Sequence, residues 1–273
     1  MLEVISFLLA PFAACFIMVI IYGYFGIHVI KREIIFIDIA LAQIAAVGAT
    51  LAMIFWHAEE HGLTAYAMAF GCTVLGAGFY AMVGQRIKQI PHEAVIGVSY
   101  AVAAAGALFI LALAAGGDVH LEHMLTGSIL WAGWSDIILC GIVFGMTGLF
   151  HLVFRKRFMS LSDMMESSDH HERSVLWDFL FYVTMGLVIT LSVHIAGVLV
   201  IFSLLIIPAA FSALFADSWK KRIIIAWGMG LSATILGLVF SYVLDFSCGP
   251  AVVSFLGIIL IAGALLQKVR SPA

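Results

Sequence analysis

The sequence predicts an all-α, polytopic helical membrane protein with about nine transmembrane spans. Of its 273 residues, 64% are hydrophobic and only 11% are charged, whereas a typical soluble domain is roughly half apolar and about a quarter charged. The mean hydropathy is +1.15, and the charged residues stand in short clusters between long apolar runs. A soluble globule and a disordered chain are therefore excluded.

The individual spans follow from the thickness of the bilayer. A hydrocarbon core of about 30 Å requires roughly 20 apolar helical residues, and we divided the chain at its charge clusters. The sixth and seventh spans form one apolar stretch, 175–216, which only residues 192–197 interrupt. All of these spans belong to one predicted transmembrane domain, residues 1–273. The predicted spans lie near residues 6–29, 34–56, 63–84, 95–115, 128–152, 175–192, 194–209, 223–244 and 250–267.

The basic residues predict the orientation of the chain. With an odd number of spans, all 13 Lys and Arg residues lie on one face of the membrane. Because basic residues accumulate on the cytoplasmic side, the amino terminus is expected outside and the carboxyl terminus inside. The basic residues are Lys31, Arg32, Arg86, Lys88, Arg155, Lys156, Arg157, Arg173, Lys220, Lys221, Arg222, Lys268 and Arg270.

The opposite face is acidic and carries several histidines. His57 and His61 are four residues apart, and His120 and His123 are three apart. Either pair could share a helix face and capture a metal ion through imidazole nitrogen. The alternative is that these are ordinary solvated loop residues. The acids would then remain there only because basic residues are sorted to the other side.

Asp38 is the clearest case of an acid within a predicted span, where ionisable side chains are costly and usually functional. At 1.5 Å per residue, Asp38 lies roughly 6 Å inside the bilayer and Gln43 lies near its centre. On a regular helix the side chains of Asp38 and Gln43 point about 140° apart. Both would line one pathway only if a π-bulge accommodated one extra residue between them. In the alternative, Asp38 pairs with Lys31 or Arg32 near the interface.

Several signatures of catalysis are missing from the sequence. It has no G-x-x-x-x-G-K-[ST] phosphate loop, no H-E-x-x-H helix and no G-x-S-x-G turn, so we predict that the chain is not an enzyme. It has no basic tract that would suit nucleic acid. A many-span transporter without a phosphate loop needs a separate source of energy.

Four stretches, in order along the chain, resemble the zinc, manganese and iron family of ATP-binding-cassette (ABC) importer permeases: residues 31–48, 127–136, 195–216 and 241–253. The resemblance implies a type II ABC importer-like permease in a bacterial inner membrane. It also implies a homodimer in membrane lipid, bound to two cytoplasmic ATPase subunits and served by an extracytoplasmic solute-binding protein. No cofactor is expected to be bound in this chain.

The resemblance also implies a cytoplasmic coupling helix after Pro208, near residues 209–221, with Phe211, Ser212 and Phe215 contacting the ATPase. Because proline cannot continue the hydrogen-bond ladder, a change of helix direction is expected at Pro208. The alternative is an ordinary proline-kinked helix end.

Members of that family commonly carry Asp followed four residues later by His along the metal route, whereas this chain has Asp38 and then Gln43. An amide is a weaker ligand than imidazole, so Asp38 is the predicted metal residue and Gln43 its pathway neighbour. The predicted substrate is zinc or manganese, with iron as a further alternative. Two other hypotheses remain open: import of a metal chelate, such as a siderophore or a cobalamin-like compound, and a self-contained secondary transporter.

Overall fold

The computed structural model describes residues 2–59, 62–86, 89–111, 129–166 and 174–270. Throughout these ranges the regular structure is helical. The α-helices are α1 (Leu2–Lys31), α2 (Ile37–Trp56), α3 (Leu63–Arg86), α4 (His92–Leu111), α5 (Trp134–Val153), α6 (Arg155–Glu166), α7 (Val175–Phe215), α8 (Trp219–Leu244) and α9 (Cys248–Arg270), and a 3-10 turn covers Ile129–Trp131.

Eight of these helices are long and apolar enough to cross a membrane, so the predicted all-α polytopic class is confirmed. Seven of the predicted spans correspond to one helix each, while the sixth and seventh correspond to the two segments of α7, which meet at Gly197. The fifth begins later than expected, at Trp134, because the residues before it form the 3-10 turn and Gly133 accepts the first α-helical hydrogen bond, from Ile137.

The range of α7 covers 41 residues in two helical segments that meet at a kink at Gly197, whereas one crossing of the hydrocarbon needs only roughly 20 residues. Gly197 interrupts the helix with φ 75° and ψ 157°, a conformation that is open to glycine and strained for other residues. The change of direction expected at Pro208 stays a prediction, since Pro208 lies inside α7 and the non-helical backbone angles of this helix are at Gly197. Neighbouring helices in membrane proteins can accommodate a proline within a helix.

Helix α6 differs from the spanning helices because it is short and amphipathic. Phe158, Leu161 and Ser162 are buried, and Arg155, Lys156 and Arg157 are exposed. Buried positions spaced three and four residues apart are typical of a helix that lies on a protein surface. α6 therefore connects α5 and α7 and is too short and too polar to cross the membrane itself.

The helices form two compact units. The first comprises α1 up to Ile30, the 3-10 turn, α5 up to Gly148, α7 from His194, and helices α8 and α9. In this unit the indole Nε1 of Trp227 on α8 donates to the carbonyl of Ile20 on α1 at 2.9 Å.

The second unit comprises Lys31, helices α2 to α4, the end of α5, helix α6, and α7 up to Val193. Here α2 packs closely on α3, since a Cβ at Gly48 would lie 2.5 Å from the carbonyl oxygen of Met68. Small residues commonly allow such close approach between membrane helices.

Candidate functional site

Asp38 lies in the first turn of α2 and is 1% exposed. Both of its carboxylate oxygens are buried, and neither has a hydrogen-bond partner among the described residues. The backbone amides of Asp38 and Ile39 at the helix start lie near the carboxylate. A buried carboxylate with no hydrogen-bond partner is costly in a low-dielectric interior, and such groups concentrate at functional sites.

A second acid, Glu93, reaches the same end of α2 from the first turn of α4. Its Oε1 accepts the backbone N–H of Phe36 at 2.9 Å, which caps α2 from a neighbouring helix. Its Oε2 is buried without a hydrogen-bond partner in the described part of the chain, and the carboxyl group interacts electrostatically with Asp38. Two adjacent carboxylates repel each other when both are ionised, and a bound cation would relieve that repulsion.

The basic residues that precede α2 are engaged elsewhere. Lys31 Nζ lies 2.9 Å from Asp163 Oδ1, and Arg32 Nη1 lies 2.9 Å from Asp178 Oδ1. Arg32 Nε also donates to Ser162 Oγ at 2.8 Å. The structure therefore does not show the alternative in which Asp38 pairs with Lys31 or Arg32.

Gln43 is buried one and a half turns further along α2. All residues of α2, Ile37–Trp56, are described and all are α-helical, so the π-bulge that would align Gln43 with Asp38 is not formed. On a regular helix the two side chains point about 140° apart, and the structure does not bring them onto one face. A pathway role for Gln43 stays a prediction.

The buried Arg32–Asp178 pair was missed by sequence reasoning. Asp178 is the fourth residue of α7 and is 2% exposed, and the Arg32 guanidinium also lies 4.0 Å from the ring centre of Phe181. The signal was present as a lone acid within the predicted sixth span. Glu93 was also missed, because it lies just before the predicted start of the fourth span.

Of the proposed outer histidines, only His57 belongs to the described residues. It is exposed and ends α2 in a left-handed conformation with φ 50°. His61, His120 and His123 lie outside the described residues. Within the described ranges, no group of three or more His, Cys, Asp or Glu side chains is arranged to hold a metal ion.

The predicted coupling residues lie in the last turns of α7. Pro208 and Ser212 are buried, and Ser212 Oγ donates to the Ala209 carbonyl at 2.7 Å. Phe211 packs against Gly263, and its ring centre is 4.9 Å from that of Phe215, which is 39% exposed. Phe215 is therefore the most accessible of the four.

The coupling helix expected near residues 209–221 stays a prediction, and the structure divides this range between two helices. Residues 209–215 continue α7, residues 216–218 are non-helical, and α8 begins at Trp219. Side chains from the following helices stabilise this turn, since Arg222 Nε donates to the Ala216 carbonyl at 2.8 Å and Gln267 Nε2 donates to the Leu214 carbonyl at 2.5 Å. Orphan carbonyls at a helix end are satisfied in this way without a further helix.

Apolar spanning helices around a buried acid, with no catalytic motif in the sequence, define the class as a polytopic membrane transport subunit. The family model described as the ABC 3 transport family matches residues 4–267, and the chain belongs to this family. It is a permease subunit and not an enzyme.

Known proteins resemble the chain over most of its length. A probable metal transport system membrane protein of Chlamydia pneumoniae is 25% identical over 261 residues, which cover 92% of this chain and 86% of the relative. The manganese transport system membrane protein MntC of Listeria monocytogenes is 24% identical over 238 residues, covering 86% and 81%. Among solved structures, PsaBC from Streptococcus pneumoniae in complex with Fab matches with a TM-score of 0.78 at 22% identity, covering 97% of this chain and 92% of that one. This last likeness shows that the fold is shared.

Proposed function

We propose that the chain is the permease subunit of an ATP-driven importer for a divalent transition metal ion, manganese or zinc, with iron as the next alternative. The family and the relatives named for metal or manganese transport support this proposal. The observation that carries it is the buried carboxylate of Asp38, which has no hydrogen-bond partner among the described residues and lies near Glu93. Carboxylate oxygens suit manganese well, while zinc more often takes nitrogen and sulfur ligands.

Replacing Asp38 with Asn should lower metal uptake by about tenfold or more, the range typical of losing a group that supports metal binding. The amide keeps the size of the side chain and removes its charge. The measurement is uptake of radioactive manganese by cells that produce the complete importer, with the amount of assembled complex determined in parallel.

Asp245→Asn is the matched control. Asp245 ends α8 in a left-handed conformation with φ 55°, which Asn tolerates well. Metal uptake by the Asp245→Asn variant should equal that of the wild type. Undiminished uptake by Asp38→Asn in a correctly assembled complex would remove Asp38 from the pathway. Uptake of an iron chelate in place of the free ion would favour the chelate hypothesis.

The proposal includes partners and an orientation. The permease acts as a homodimer in a bacterial inner membrane, with cytoplasmic ATPase subunits and an extracytoplasmic metal-binding protein. The distribution of basic residues supports an outer amino terminus and an inner carboxyl terminus.

Contact with the ATPase is proposed at the end of α7, with Phe215 as its exposed side chain. We expect Phe215→Ala to lower metal uptake several-fold, because large buried aromatic side chains often dominate an interface. ATP hydrolysis by the reconstituted complex should become insensitive to the loaded binding protein. Uptake and hydrolysis are measured on the same proteoliposomes.

Phe246 provides the control for this change, since it is an exposed phenylalanine just beyond the other end of α8. Phe246→Ala should leave coupling intact. If Phe215→Ala behaves like Phe246→Ala, the ATPase contact does not involve the end of α7.

A further inference from the structure

The junction between α5 and α6 forms a groove of about 470 Å³, lined by residues 152–157. One part of its lining is apolar and accessible, since Leu152 is 59% exposed and Val153 is 67% exposed. The other part consists of three consecutive exposed cations, Arg155, Lys156 and Arg157. The groove thus has an apolar end and a cationic end within two helical turns.

The apolar end continues a stripe of exposed residues along α5: Ile138, Ile142, Met146, Leu149 and Val153. Steps of three and four residues place these side chains on one face of the helix. Such an accessible apolar face on a spanning helix is suited to contact with lipid chains. The stripe ends where the cations begin, as expected where a helix leaves the hydrocarbon and enters the headgroup layer.

The cationic end carries unbalanced positive charge. The lining contains no acidic side chain, and within the described ranges none of the three cations belongs to an ion pair. In contrast, Lys31 and Arg32 are paired with Asp163 and Asp178. The groove also lies at the amino-terminal end of α6, where the helix dipole favours an anion.

Aromatic side chains packed behind the groove stabilise the junction between α5 and α6. The ring of Phe154 lies 5.1 Å from that of Phe150 and 5.2 Å from that of Trp177. Phe158 contacts Trp177 at 5.4 Å and stacks on His151 at 4.1 Å. Because these contacts define the turn before any ligand arrives, binding in the groove needs little further ordering of the chain.

We propose that this groove binds an anionic phospholipid. Leu152 and Val153 contact its acyl chains, and Arg155, Lys156 and Arg157 bind the headgroup phosphate through charge-assisted hydrogen bonds. The occupant must carry both a negative phosphate and apolar chains, because the groove presents both kinds of surface. Three cations that have no ion-pair partner among the described residues, beside an apolar stripe, favour phosphatidylglycerol over a zwitterionic lipid such as phosphatidylcholine. This inference does not depend on which solute the permease transports.

The test compares two charge-matched double variants of the purified protein. Lys156→Gln with Arg157→Gln removes two cations from the groove. Lys220→Gln with Lys221→Gln removes two exposed cations from the start of α8. Binding of phosphatidylglycerol and of phosphatidylcholine to detergent-solubilised protein is measured by native mass spectrometry. Thermal unfolding temperatures verify that both variants remain folded.

We expect the groove variant to bind phosphatidylglycerol about tenfold or more weakly, and the α8 variant to match the wild type. Phosphatidylcholine binding should be weak and equal in all three proteins. Soluble glycerol phosphate should not compete, because it lacks acyl chains. Equal loss in both variants, no loss in the groove variant, or full competition by glycerol phosphate would each overturn the proposal. Loss of ATPase association with unchanged lipid affinity would also overturn it and would assign the cations to a protein interface.

Discussion

We expect Asp178→Ala to destabilise the folded protein by about 3–5 kcal/mol, the usual result of removing one partner of a buried ion pair. The side chains of Arg32 and Asp178 are 0% and 3% exposed and lie 2.9 Å apart. Without the carboxylate, the Arg32 guanidinium retains its hydrogen bond to Ser162 and its contact with the Phe181 ring. Its charge would then have no acidic partner among the described residues. The measurement is thermal or denaturant unfolding of the purified protein in detergent.

Asp163→Ala is the matched control. Asp163 forms an ion pair with Lys31, the residue next to Arg32 in the sequence. Asp163 is 47% exposed although Lys31 is only 6% exposed, so water can partly replace the lost partner and the substitution should cost less than Asp178→Ala. Equal effects of the two substitutions would contradict the expectation. Replacing Arg32 and Asp178 together by Leu should recover most of the lost stability, since no charge then remains unpaired.

The same pair is expected to matter for transport. Arg32 precedes α2 by five residues, and its contacts with Ser162 and Asp178 attach the α1–α2 connection to α6 and α7. That connection leads directly into the turn that carries Asp38. Asp178→Ala should therefore lower metal uptake per folded molecule, in addition to lowering stability.

The second large effect is expected at Gly26, where α1 and α7 meet in the first unit. A Cβ at this position would overlap the carbonyl oxygen of Leu205 and would lie 2.9 Å from the Cβ of Ala209. Backbone cannot move aside as a flexible side chain can, so Gly26→Ala should cost about 3 kcal/mol or more, the upper part of the overpacking range. The yield of monodisperse protein and its unfolding temperature measure the loss.

Gly257→Ala on α9 is the control, because nothing lies within 4 Å of a Cβ added there. In a helix interior that change should be neutral or stabilising by up to about 1 kcal/mol. A similar loss of stability in both variants would show that the effect comes from the helices in general and not from the α1–α7 contact.

Much of the fold follows from local properties of the chain. Each apolar run of about 20 residues forms a helix, because a chain in lipid must satisfy its backbone hydrogen bonds internally. Charge clusters interrupt the runs, so seven predicted spans each correspond to one helix. The interruption expected within 192–197 contains Gly197, whose positive φ allows the break. Pro208 lies inside α7, where neighbouring helices can accommodate a proline within a membrane helix.

The candidate site was only partly predictable. Asp38 stood out because an acid within an apolar run is unusual, and that signal needs no knowledge of its neighbours. Asp178 and Glu93 gave the same kind of signal more weakly, near span ends, where a charge can also reach water. Gln43 was selected by its place in the family pattern, and the regular helix leaves it on another face from Asp38.

The sequence by itself determined that the chain is a helical membrane protein, because hydropathy and charge act over one or two turns of a helix; that it is a permease followed from its resemblance to a family. Only the tertiary structure decided that Arg32 pairs with Asp178, more than a hundred residues away, and that Asp38 has no hydrogen-bond partner among the described residues. Which charges meet depends on which helices pack together. That packing is set by contacts such as those of Gly26 and Gly48, whose partners lie on other helices.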